Sequence, residues 1–442
     1  MTANVEVDRG AQLLLAALPE MDLQGARIAL DRAALEIIID AQVEQTAWAQ
    51  ACAMSVVACG SKMFRRGVFL TGNSECETVI GNALPHLFKR ALFESGCRNG
   101  PAPAHAFRIC IGTNGPAHVY ASANGWRATV GPKPAAAAMP GNELSGIFAG
   151  AVSTAVAFRA SVLSDPVAAR RMLEYDLWEP QGESASAPVV LRNLPADLWL
   201  LGMGNLGQAT LFTIGMLPYR DTSQVRLLLN DPDVCGWENL GVQLLTKPNW
   251  IGRTKVRCAA DWAERIGFRT VLNERKFLAT TRPDQCEPRV ALVGVDNLNA
   301  RRFAASAGFD LLIDAGLGSS ANEAFDVRLH AFPGSRLPLD AWPEAEVSEP
   351  VDEGNVAKRG NIQSLIDAGV VDECGAITIE NQPVGVPCTA LAAAAMQVAQ
   401  LCRAIETGLC SEMVDFDLVK SKRAVGQVMD RPVAPIVSCS AR

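Results

Sequence analysis

Short uninterrupted apolar runs, each closed by a glycine, an asparagine or an acidic residue, dominate the second part of the chain. Runs at 198–201, 225–229, 290–293 and 311–314, with 270–273 between them, have the length and continuity of strands buried on both faces. Apolar segments of helical length, 208–216 and 256–265, fall between them. Strand–turn–helix repetition of this kind predicts a doubly wound, mostly parallel α/β sheet. Upstream, 26–130 mixes both periods: 33–57 reads as helix, and 67–71, 107–112, 117–121 and 126–130 read as strands. A short helix is expected at 11–18, a Pro/Ala connector at 132–140, an Ala-rich helix at 144–163 and a charged helical stretch at 167–175. Pro180, Gly182 and Ser184 mark a boundary, giving domains 1–186 and 187–442. Within the second domain, 333–386 is irregular and rich in Pro, Gly and acids, 389–407 is a second Ala-rich helix, and 414–418 with 424–429 form a closing hairpin.

Composition narrows the class. The chain has 442 residues and net charge −7, with no basic footprint for nucleic acid or a membrane surface. No apolar run reaches the length of a membrane span, and the N-terminal stretch lacks a basic region before its apolar residues, so a cytoplasmic location is expected. The 13 cysteines are odd in number and scattered, which is reduced-compartment usage. No C-x-x-C occurs, and His86, His105, His118 and His330 show no ligand spacing, so no zinc site is expected.

Candidate chemistry begins at residues 201–207, Leu-Gly-Met-Gly-Asn-Leu-Gly, a strand ending in a G-x-G-x-x-G turn before a helix. Gly202, Gly204 and Gly207 let the backbone approach phosphate at a helix N-terminus. The second strand ends in Asn230-Asp231-Pro232-Asp233, where an acid can hold ribose hydroxyls of either NAD or ATP. Lys255 follows the Gly252 turn at a helix start and can meet phosphate charge. Asp296, with Asn297 after it, ends another strand at the sheet edge, where a carboxylate holds Mg²⁺ or caps the next helix.

Taken together, Gly202-x-Gly204-x-x-Gly207, Asp231-x-Asp233, Asn239-Leu240-x-x-Gln243, Gly252-x-x-Lys255 and Asp296-Asn297-x-x-x-Arg301 resemble the E1-like adenylating superfamily, which includes ubiquitin-activating enzymes, ThiF and MoeB. The resemblance spans roughly 195–330. It implies an E1-like adenylation fold preceded by a smaller, degenerate adenylation-like α/β domain. It implies Mg-ATP as cofactor, with Asp231 on the ribose, Asn239, Gln243 and Lys255 on the phosphates, and Asp296 on the metal. The family places an arginine just before the glutamine; this chain has Val242.

The family divides according to the fate of the acyl-adenylate. Sulfur-carrier enzymes stop at that intermediate and usually carry paired C-x-x-C motifs; conjugating E1 enzymes form a thioester and pass the acyl group to an E2. Cys388, at a helix start in a Cys-Thr step resembling that of autophagy-type E1 enzymes, is expected to have a lowered thiol pKa and to act as nucleophile. Cys374 is its rival. The expected partners are a ubiquitin-like protein and an E2, within a system resembling bacterial antiphage conjugation, and the chain is either an internal pseudo-dimer or a homodimer. An adenylyltransferase without thioester, an NAD-dependent oxidoreductase and a degenerate binding scaffold are the alternatives.

Overall fold

A computed structural model describes residues 9–18, 20–72, 75–82, 84–135, 139–180, 191–318, 320, 323–343, 385–420 and 433–442. Its first part comprises α1 (Arg9–Ala17), α2 (Leu23–Arg32), β1 (Ala34–Ile39), α3 (Ala47–Met63), β2 (Gly67–Thr71), α4 (Phe88–Glu94), β3 (Cys97–Arg98), β4 (Phe107–Ile111), β5 (Val119–Asn124), β6 (Arg127–Gly131), α5 (Glu143–Ser161) and β7 (Leu173–Asp176). The second part comprises β8 (Asn193–Pro195), β9 (Asp197–Leu201), α6 (Asn205–Met216), β10 (Arg226–Asn230), α7 (Lys255–Ile266), β11 (Arg269–Asn273), β12 (Val290–Val293), α8 (Leu298–Ala305), β13 (Leu311–Leu317), β14 (Asp326–Phe332), α9 (Pro338–Ala341), α10 (Pro387–Thr407), β15 (Met413–Asp417) and β16 (Ser438–Ser440).

The two parts have the same topology. One seven-stranded sheet runs β3-β2-β1-β4-β5-β6-β7 and the other β11-β10-β9-β12-β13-β14-β15. In each, the first five strands are parallel and the last two join antiparallel. In each, the long Ala-rich helix, α5 or α10, connects the two antiparallel strands. These two helices pack on each other, on α3 and on α6 respectively, and one continuous core runs through both parts. By length and composition α5 and α10 could cross a bilayer, yet they lie almost entirely inside the fold. Small residues allow this close layering: a Cβ at Gly146 would sit 2.1 Å from the Trp48 carbonyl oxygen of α3.

Local signals explain the helix bounds. Asn142 accepts from the Ser145 backbone N–H at 2.9 Å and starts α5 with a reciprocal cap. Pro387 starts α10, and Gly408, at φ +71°, stops it in the left-handed region.

Two expectations are corrected. Residues 33–57 are not one helix: Leu35-Glu-Ile-Ile-Ile39 pairs with β2 and β4 as the central strand, and the helix begins only at Ala47. The isoleucine run fits a pleated ladder, and tertiary pairing overrides the helical period of its neighbours. Residues 167–175 are not helical beyond a short turn at Ala168–Arg170; Leu173–Asp176 is the edge strand β7. Residues 414–418 do form a strand, but it pairs with β14. The expected hairpin partner at 424–429, and most of the irregular 333–386 segment, lie outside the described residues.

Candidate nucleotide site

The strand order reverses between β9 and β12, and the loops leaving both strands flank the crevice there. Ligands of doubly wound sheets bind at this kind of switch point. The glycine turn leaves β9. Gly202 adopts φ +92° and its N–H donates to the Asn230 carbonyl at 2.8 Å, while the Gly294 N–H donates to the Leu201 carbonyl at 2.9 Å. Gly207 lets α6 settle onto the turn, since a Cβ there would lie 1.7 Å from the Gly202 carbonyl oxygen. Gly204 differs: a Cβ there meets open space. It precedes α6, whose first turn has no side-chain cap and so presents backbone N–H groups to an anion.

Asp231, at the end of β10, is buried and acts on this turn directly. Its Oδ2 accepts the Met203 N–H at 2.6 Å and its Oδ1 accepts the Asp233 N–H at 2.8 Å. Burial pushes its pKa up, against the pull of Lys255 and of those two backbone bonds. Lys255 lies beside it at the start of α7. The 233–235 segment pairs with 252–255: Cys235 N–H donates to the Arg253 carbonyl at 2.9 Å, and Lys255 N–H donates to the Asp233 carbonyl at 2.9 Å. This brings Lys255 Nζ to 2.8 Å from Asp233 Oδ2. Burial disfavours the ammonium, but Asp231 and Asp233 outweigh it and the Lys255 pKa is raised, so the cation persists at neutral pH.

On the β12 side, Asn297 Oδ1 accepts the Ala300 N–H at 2.9 Å and caps α8. The cap role therefore falls to Asn297 and leaves the exposed Asp296 carboxylate without a partner among the described residues. Arg301 braces this loop from behind, its Nε donating to the Val295 carbonyl at 2.7 Å and its guanidinium facing buried Asp314 at 3.4 Å. Burial raises Asp314 to about 6, with Arg301 pulling the other way.

Asn239 and Gln243 occupy local roles. Asn239 Oδ1 accepts the Gly236 N–H at 2.9 Å. Gln243 Oε1 accepts from Gln208 Nε2 at 2.8 Å and from Thr246 Oγ1 at 2.9 Å, inside a buried network whose hub is Gln208. Gln208 also reaches the Met203 carbonyl at 3.2 Å, tying the network to the glycine turn. Sequence reasoning misses it, although an amide inside the apolar α6 is the available signal. From the first part of the chain, Lys62 donates to the Thr246 carbonyl at 2.7 Å; burial and the charge of Lys247 lower its pKa to about 8.

Cys388 departs from expectation. It starts α10, as predicted, but it is enclosed in the core beside Cys59 of α3. Burial pushes its thiol up to about 12, the opposite of the lowering expected at a helix start, because desolvation of a thiolate outweighs the bonds and dipole that favour it. Cys374 lies outside the described residues. Among the described residues, no cluster of three or more His, Cys, Asp or Glu could hold a metal.

In the first part, the equivalent crevice between β1 and β4 is closed. Asp40, directly after β1, accepts from the backbone N–H groups of Gln42, Thr113 and Asn114 at 3.0 Å each, and from Asn114 Nδ2 at 3.0 Å. Burial opposes its charge, but these donors win and its pKa is lowered.

The family described as the BilD N-terminal domain matches residues 34–177, and the BilD C-terminal domain matches 194–408. The bacterial E1-like protein BilD of Collimonas sp. (strain OK412) is 29% identical over 406 residues, 87% of this chain and 85% of that protein. Two crystal structures of E. coli MccB, one with AMPCPP and selenomethionine MccA, align at TM-scores of 0.33 and 0.35, with 16% and 14% identity. Those alignments cover 53% of this chain but only 64% and 63% of the MccB chains, less than two thirds of their length. The two BilD domains, matched in order across most of its length, show that this chain belongs to the E1-like adenylating family.

Proposed function

We propose that the chain uses ATP to adenylate the C-terminal carboxylate of a ubiquitin-like protein. The uncapped first turn of α6 at the switch point, held by Asp231 with Lys255 beside it, supports the reading, together with the family. In this reading the first turn of α6 and Gly204 receive phosphate oxygens, and Asp231 holds the turn in shape through Met203 while facing the ribose. A tail carboxylate oxygen attacks the α-phosphorus, the bond to the bridging oxygen breaks, and pyrophosphate leaves with the electron pair. Lys255 exchanges its Asp233 partner for the phosphates and offsets their growing charge. Asp296, exposed and unpartnered among the described residues, fits a magnesium ion held mainly by phosphates and water; when bound, such an ion supplies further charge neutralisation.

The subsequent step is transfer to a thiol and then to an E2 cysteine: the thiolate attacks the acyl carbon and AMP departs. Of the two candidates, the enclosure of Cys388 favours Cys374 as the thioester carrier. Intact-mass measurement under non-reducing, acidic conditions tests this, after mixing the chain, Mg-ATP and a ubiquitin-like protein. A thiol-labile adduct is expected with the wild type and with Cys388→Ala, and none with Cys374→Ala. Loss of the adduct in Cys388→Ala alone returns the role to Cys388. Absence of any adduct while AMP still transfers to the tail makes the chain an adenylyltransferase without thioester.

A further inference from the structure

The turn that opens α6 leaves one side chain with no partner among the described residues. Asn205, the first residue of α6, has both Oδ1 and Nδ2 buried and without a hydrogen-bond partner among the described residues. A buried amide in that state is costly, and native folds rarely keep one without use. Its neighbours are already committed: the Met203 N–H is held by Asp231, and Gln208 belongs to the Gln243–Thr246 network. Two glycines flank it. A side chain at Gly204 would meet open space, and a Cβ at Gly385, just ahead of α10, would come 2.8 Å from Asn205 Nδ2. The amide therefore stands between the phosphate turn and the start of the helix that faces it.

The orphaned pair discriminates among ligands. A phosphate offers acceptors alone and would satisfy Nδ2 while leaving Oδ1 buried and unmatched. A peptide bond offers one acceptor and one donor together, and satisfies both. We infer that Asn205 reads the last peptide bond of the incoming tail, Nδ2 donating to its carbonyl oxygen and Oδ1 accepting its N–H. This rests on the adenylation reading and makes Asn205 a specificity-determining residue: it sets the tail so that the carboxylate arrives over Gly204.

Binding of three probes to the full chain, measured by calorimetry, tests the inference: sulfamoyl adenosine, its acetyl-glycyl-glycyl derivative, and the same derivative with the glycyl–glycyl amide replaced by an ester. The wild type is expected to bind the amide probe about tenfold more tightly than the ester, the worth of one hydrogen bond to a buried acceptor. In Asn205→Leu, which keeps the volume and removes both polar atoms, that ratio falls to about one while sulfamoyl adenosine binds as before; Asn205→Ala repeats the pattern should leucine disturb the turn. An amide preference that survives in both variants overturns the inference. So does an equal loss for sulfamoyl adenosine, which would make Asn205 a nucleotide contact. A wild type that binds sulfamoyl adenosine but gains nothing from either acyl group refutes the adenylation reading itself, and the inference falls with it.

Discussion

At the scale of single residues, the site is held by groups that the fold keeps in unfavourable surroundings. Asp231, Lys255 and Asp314 are all buried, and each is tolerated through a specific partner. Asp314 has a measurable signature. Its carboxyl titrates at about 6 in the fold and near 4 in the unfolded chain. Between those values the native state holds a proton that the unfolded chain has released, so stability falls as pH rises through the window and the cost stays constant above it. The full window is worth roughly 3 kcal/mol. Urea unfolding between pH 4 and 7 should show this decline in the wild type and a flatter profile in Asp314→Asn. An identical profile in the variant would place the titration elsewhere.

Among the elements, the glycine turn combines two unlike demands. Gly207 serves packing, because α6 presses directly on the Gly202 carbonyl; Gly204 has no described residue in the space beside it, and in the proposed reading that space is the ligand's. Gly207→Ala should therefore destabilise the fold by roughly 3 kcal/mol or more through overpacking. Gly204→Ala should leave the unfolding free energy within about 0.5 kcal/mol, as surface changes do, and weaken ATP binding at least tenfold. Chemical denaturation and nucleotide titration separate the two, and a reversed pattern would contradict these roles. This turn is legible in the sequence because its spacing is local and its glycines are required by close approach. The buried strands around it are legible for the same reason, as continuous apolar runs ending in Gly202, Asp231 and Asp296. The features that escape a sequence reading depend on contacts distant along the chain. The Ile37–Ile39 run sits next to helix formers, and only pairing with Gly67–Thr71 and Phe107–Ile111 makes it a strand. The enclosure of Cys388 comes from α3 and α5 packing over α10, while its helix-start position, the only thing visible in sequence, argues for the opposite thiol pKa. Gln208 and Asn205 look like ordinary positions of the motif until their partners, or the lack of them, can be seen.

For the molecule as a whole, two sheets of one topology share a helical core, and their switch points have diverged. In the first part, Asp40 fills the crevice with its own carboxylate and closes it through the Thr113–Asn114 backbone. In the second, the same position is the Gly202 turn, open beside Gly204. The first part retains the packing role: α3 and α5 support α10, and Lys62 reaches the loop that carries Gln243. The arrangement thus leaves one open crevice in a chain with two sheets of one topology. Its central claim, that this crevice activates a carboxyl terminus with ATP, is tested most directly by exchange of labelled pyrophosphate into ATP in the presence of a ubiquitin-like protein. The account predicts exchange that requires a free C-terminal carboxylate, disappears when that terminus is amidated, and drops at least a hundredfold, about 2.7 kcal/mol of transition-state stabilisation, in Lys255→Met. Exchange that is undiminished in Lys255→Met, or that proceeds equally with the amidated protein, would contradict it.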